Sequence, residues 1–206
     1  ELRGAIYGCT SNDTVLIMLT GICSNVFQND LLDATGKLLS QNGITTIIGH
    51  AHDSFSCFAY TDHSIGKQRH AGVFNDQFPM VYEDVETWVL KAKDMGFKHI
   101  ILAGHSLGSN KIINYLGNTK DDFIDYFIVS CPVDIMHWKT IMPNVDDCYD
   151  MAQTWVENGR GDDILPMLFG GFSPMTANSV IDFFNAENLK NCPVLSGDGE
   201  TTSLYN

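Results

Sequence analysis

The chain has 206 residues, 44% of them hydrophobic and 11% aromatic, and a net charge of −13 from 12 Lys plus Arg against 25 Asp plus Glu. That apolar content supports one sizeable core and excludes disorder, and the length leaves no room for two ordinary domains. So acidic a balance repels phosphate backbones and anionic lipid, and the longest aliphatic run, Val15 to Leu19, falls far short of the ~20 residues that span a bilayer, so neither a nucleic-acid partner nor membrane insertion is expected.

Leu2 to Tyr7 reads as the second half of an edge hairpin. Thr14 to Leu19 is an unbroken apolar run ending at Thr20-Gly21, as in a strand buried on both faces. Leu31, Leu32, Leu38 and Leu39 recur at helical spacing, with Asn42-Gly43 as the stop, and β-branched Ile44 to Ile48 predicts a second buried strand. Residues 49–79 form a long irregular stretch rich in Gly, His, Asp and Ser, and a connection of that length is usually functional. Val81, Val85, Trp88, Val89 and Ala92 predict a helix ended by Gly96. His99 to Ala103 is a third strand, Ile112, Ile113 and Leu116 mark a helix closed by Gly117, and Tyr126 to Val129 is a fourth strand.

Strands alternating with helices imply an α/β protein: a mostly parallel central sheet with helices on both faces. Beyond the strand at 126–129 the strand signal disappears. Residues 147–157 and 176–184 look helical, so 133–190 is either a small helical cap over the strand ends or ordinary packing on one sheet face. Residues 1–206 read as a single domain. Six cysteines, widely spread and never as Cys-x-x-Cys, fit reduced thiols of a cytoplasmic protein, although a mature secreted form would have shed its leader.

The sharpest motif is Gly104-His105-Ser106-Leu107-Gly108, a Gly-x-Ser-x-Gly between a buried strand and an amphipathic helix. Such a turn lifts the serine hydroxyl above the sheet edge. Its glycines avoid collision with the neighbouring strand and helix, and the helix start favours the charge of a tetrahedral intermediate. His105 is expected to pack at the elbow and not to act as a base.

With this elbow, the sequence resembles the α/β-hydrolase family over residues 13–131. Thr20-Gly21-Ile22 stands where the family commonly has His-Gly-x, and Gly49-His-Ala-His-Asp53 where many members carry an Arg-Gly-His-Gly-type turn. The resemblance implies a serine hydrolase acting on a small-molecule carboxylic ester. Ser106 would be the nucleophile, and the backbone amides of Ile22 and Leu107 would form the oxyanion hole. It implies neither metal nor organic cofactor and leaves the oligomeric state undefined.

The family requires Ser, then Asp or Glu, then His, because serine needs a base and the base needs orienting. The acid candidates are Asp198 and Asp134. The seven histidines are 50, 52, 63, 70, 99, 105 and 137, none in the last 69 residues. The expectation is therefore a fragment of a hydrolase of roughly 250 to 300 residues with its catalytic histidine beyond Asn206. His137 and Trp138 are candidate pocket residues, and Met142, Trp155, Met167, Phe169 and Phe172 would add an apolar acyl site. Two alternatives stay open: a catalytically inactive ligand-binding protein of the same fold, and a metal-dependent hydrolase using His50 and His52.

Overall fold

A computed structural model describes residues 2–8, 11–119 and 121–185, with the side chains at 136 and 137 left undescribed. Five strands form one sheet in the order β1-β3-β2-β6-β7. Strands β2 (Thr14–Leu19), β3 (Thr45–Gly49), β6 (His99–His105) and β7 (Ile124–Ser130) run parallel, and β1 (Gly4–Tyr7) pairs antiparallel with β3 at one edge. The expected architecture is the one found, a mostly parallel sheet with helices on both faces.

The continuous apolar character of β2 is explained by its two covered faces. Val15, Ile17 and Leu19 join the cluster under helices α2 (Met80–Asp94) and α3 (Leu107–Asn118). Leu16 and Met18 pack toward Leu32 of helix α1 (Asp30–Gln41). Asn29 caps α1 by accepting the Leu32 N–H at 3.2 Å, and Asp30 and Asp33 complement the positive end of its dipole. Leu31 and Leu38, expected on the buried face, are 55% and 61% exposed. Helical geometry puts them on a stripe beside the one that Leu32 and Gly36 bury.

Residues 49–79 are not wholly irregular. They contain a hairpin of β4 (Phe58–Asp62) and β5 (Lys67–Ala71), then a 3-10 turn at Val73–Asn75. Helix α3 runs through Gly117 to Asn118. Beyond β7 come α4 (Ile135–Ile141), absent from the sequence expectation, then α5 (Val145–Glu157) and α6 (Ala177–Phe183). Val145, Cys148, Ala152, Phe169 and Val180 of this segment belong to the same buried cluster as Ile17 and Leu102 of the sheet. Thr176 N–H donates to Phe74 O at 2.6 Å, joining the segment to the 3-10 turn. Tyr126, Phe127, Ile128 and Val129 of β7 are exposed at the opposite edge from β1. No helix among the described residues is long and apolar enough to cross a membrane.

Candidate active site

Strand β6 delivers His105, and α3 starts at Leu107, leaving Ser106 alone in the turn at φ 54° and ψ −129°. A non-glycine residue held at positive φ is strained and persists only where its surroundings over-determine it. Those surroundings are dense. Ser106 N–H donates to Ser130 O at 2.9 Å, and Ser106 O accepts from Ser109 N–H at 2.9 Å. The buried Ser109 hydroxyl lies 2.7 Å from Gly104 O and 3.0 Å from Ser130 O, and it accepts Ser130 N–H at 3.1 Å. One residue on, Asn110 grips the chain after β7, donating to Val133 O at 2.8 Å and accepting Val133 N–H at 2.9 Å.

The flanking glycines have a steric reason. A Cβ at Gly108 would stand 2.5 Å from Leu19 O and 2.6 Å from Thr20 O, and one at Gly104 would stand 2.6 Å from Ser109 N. Strand end, elbow and helix are in backbone contact, and any side chain there would force them apart. His105 is half-buried.

The loop after β2 curls over this elbow. Buried Thr20 donates its hydroxyl to Ser24 O at 2.8 Å, Ser24 N–H donates to Gly21 O at 3.0 Å, and Cys23, at φ 59°, donates its N–H to Asp53 O at 2.8 Å. Ile22 and Leu107 line one small cavity. Among the described residues neither of their N–H groups is spent on a hydrogen bond. Of the residues that sequence reasoning selected, Ile22 and Leu107 share that cavity wall; Ser106 does not line it, but Gly21, next to Ile22, lies against the Ser106 side chain.

Other candidates are placed elsewhere. Among the described residues nothing hydrogen-bonds the Ser106 hydroxyl. His99 pairs with Asp125 at 3.3 Å at the start of β6, the far end of the strand from Ser106, and His63 and His70 sit on or beside the hairpin. Asp198 lies outside the described residues, as does the His137 side chain. Asp134, the other acid candidate, is half-buried just before α4. Trp138 packs against Phe172 and Phe183 with ring centroids 6.1 and 6.3 Å away, and Phe169 is enclosed by Phe172, Phe183 and Phe184. Phe169, Phe183 and Phe184 are buried inside the helical segment, and the partly buried Trp138 and the exposed Phe172 pack against them.

His50 and His52 diverge. His50 Nε2 accepts Val26 N–H at 3.1 Å, its ring lies edge-on to Phe27 and Phe55, and burial pushes its pKa down. His52 Nδ1 lies 2.6 Å from Asp84 Oδ1, and that hydrogen bond pushes its pKa up. With the His50 lone pair occupied and His52 committed to Asp84, the His-x-His spacing does not form a chelating pair. Among the described residues no three His, Cys, Asp or Glu side chains converge as metal ligands. A concavity of about 640 Å³ beside the hairpin, lined by Arg3, Phe27, Phe55 and Tyr60, has no elbow residue in its wall.

One cluster escaped sequence reasoning. Lys111 of α3, only 1% exposed, forms an ion pair with the equally buried Asp53, and Asp76, Asp84 and His52 surround the pair. Desolvation raises the pKa of Asp53, and that of Asp76 is pushed up to about 7. The available signal was stripe position. Lys111 falls between buried Leu107 and Tyr115 at four-residue spacing, and Asp84 sits between Val81 and Trp88.

Residues 81–190 match the family described as protein of unknown function (DUF1749). No curated protein sequence matches the chain. Among solved structures, a siderophore hydrolase from Aspergillus fumigatus, EstB, superimposes with a TM-score of 0.62 at 14% identity, covering 97% of this chain and 65% of its own. A monoglyceride lipase from Saccharomyces cerevisiae gives 0.55 at 14% identity, over 88% of this chain and 63% of its own. Est1E from Butyrivibrio proteoclasticus, solved with bound ferulic acid, gives 0.53 at 17% identity, over 87% and 65%. The fold is that of the α/β-hydrolases, and the chain spans less than two thirds of each of these three proteins.

Proposed function

We propose that this chain, which belongs to the family described as protein of unknown function (DUF1749), carries the nucleophile and oxyanion hole of a serine hydrolase acting on small carboxylic esters. The observation that carries this reading is Ser106, strained at φ 54° between β6 and α3, with the unspent N–H groups of Ile22 and Leu107 beside it. Three proteins of the same fold are by name a siderophore hydrolase, a monoglyceride lipase and Est1E, solved with ferulic acid bound. Fold alone hosts many chemistries, so the weight rests on the serine and its donors.

In this reading the Ser106 hydroxyl attacks the ester carbonyl and its proton passes to a histidine contributed from outside the described residues. The oxyanion is held by the Ile22 and Leu107 amides at the start of α3, where the helix dipole adds to the field. The alcohol leaves with the proton returned by that histidine, and water resolves the acyl-enzyme. Asp198 or Asp134 orients the base. Residues 133–190 act as a helical cap, a reading supported by Met175, Ser179 and Phe183 sharing a cavity with Ile22 and Leu107.

The test is intact-mass and peptide analysis of the full-length protein after exposure to a fluorophosphonate probe. A single adduct on Ser106, lost in Ser106→Ala, is the expected result. An unlabelled protein would overturn the reading in favour of an inactive, ligand-binding relative.

A further inference from the structure

Lys111 raises a question that core packing does not answer. A lysine is almost never fully buried without a purpose for its charge, and its ammonium here is held among carboxylates from three separate parts of the chain. Asp53 comes from the loop after β3, Asp76 from the end of the 3-10 turn, and Asp84 from α2. Two features connect this cluster to the elbow. Lys111 stands one helical turn beyond Leu107 on the helix that starts at Ser106, and its partner Asp53 accepts the Cys23 N–H through its own carbonyl at 2.8 Å. Lys111 also lines the same small cavity as Ile22 and Leu107, about 10 Å³ in volume, together with Asp76, Asp182 and Phe183. Because Lys111 and Asp53 are both buried, their charges act on their surroundings through a low-dielectric medium.

Building on the serine-hydrolase reading, we propose that Lys111 is a positioning residue of this site: its buried ion pair with Asp53 holds the oxyanion loop at Cys23 against the elbow helix, and its charge biases the adjacent pocket toward an anion. The chain of contacts runs from α3 through the Lys111–Asp53 pair to Cys23 and so to Ile22. The network also carries a proton-sensitive member. Asp76 Oδ1 is buried without a hydrogen-bond partner among the described residues, and the carboxyl faces Lys111 of α3, Asp53 and His52 of the β3 loop, Asp84 of α2 and Asp182 of α6. Desolvation holds it protonated to about pH 7. Its ionisation above that point adds negative charge to the cavity that Ile22 and Leu107 also line, so turnover acquires a falling limb on the alkaline side.

The experiment uses the full-length protein, a p-nitrophenyl ester, the fluorophosphonate probe and amide hydrogen exchange. Lys111→Met alone leaves the buried Asp53 carboxylate without its partner and risks unfolding, so the decisive variant is Lys111→Met combined with Asp53→Asn, which removes both charges and keeps the volume. The expected result is kcat lower by about 10- to 100-fold, KM within about two-fold, slower labelling of Ser106 and faster exchange at the Cys23 amide. In Asp76→Asn the alkaline limb near pH 7 disappears. A double variant with wild-type kcat and unchanged Cys23 exchange would overturn the proposal and make Lys111 a mere counter-ion. If the unmodified protein does not label, the hydrolase reading fails by itself, and Cys23 exchange in the double variant still decides whether the pair holds the loop.

Discussion

Gly21 lies against Ser106: a Cβ at position 21 would stand 2.8 Å from the serine Cβ and 3.2 Å from its hydroxyl oxygen. The loop thus passes so close to the serine side chain that only a glycine fits, and in the proposed mechanism this proximity would bring the Ile22 N–H to the group that Ser106 attacks. Gly21→Ala must push the loop away from the serine. The expected outcome is a fall in kcat of about 10²- to 10³-fold, comparable to losing one oxyanion donor, with little change in KM. Steady-state kinetics of the purified full-length variant, with its thermal midpoint as control, checks it.

Ser109 serves the elbow without facing a substrate. Its hydroxyl is the shared partner of the β6 and β7 ends, at Gly104 and Ser130. Ser109→Ala leaves buried backbone groups short of a partner, which costs about 1–3 kcal/mol. Urea denaturation should show that loss as a lower midpoint at an unchanged slope, together with slower labelling of Ser106.

Stability should fall as pH rises through neutrality. Asp76 has its pKa raised from 3.8 to about 7 in the fold, so its favourable contribution is complete below 3.8 and is lost as pH rises through 7. His52, raised above 6.5 by its bond to Asp84, acts with the same sign: its contribution is complete below 6.5 and is lost above its folded value. Urea midpoints measured between about pH 5 and 8 should decline, and Asp76→Asn should flatten the lower part of that decline. A flat profile in the parent protein would refute the assignment.

The elements that surround the elbow were legible because burial on both faces writes itself into composition. Thr14–Leu19 and His99–Ala103 are continuous apolar runs, and α2 carries its buried stripe openly. The hairpin β4–β5 was not legible, since Phe58–Asp62 and Lys67–Ala71 are largely exposed and carry no alternation to detect. Of the candidate site, Ser106 could be singled out because the Gly-x-Ser-x-Gly turn dictates its residue type, whereas Ile22 and Leu107 followed only from position in the resemblance to the family, since a backbone donor leaves no mark on residue type. The Lys111 cluster could not be singled out, since its five members, His52, Asp53, Asp76, Asp84 and Lys111, come from the loop after β3, the 3-10 turn, α2 and α3, and only tertiary packing brings those segments together.

The helices that follow β7 do not rest on the sheet as a detachable piece. Phe169, Val180 and Phe183 are buried in one cluster with Ile17, Leu102 and Leu107, and Phe78 N–H is tied to the Asp182 carboxylate. Helices that share their hydrophobic interior with the sheet beneath them cannot swing away as a rigid flap without breaking that interior. If they act as the proposed cap, a substrate would enter through side-chain displacements and not through the hinged opening of a separate body.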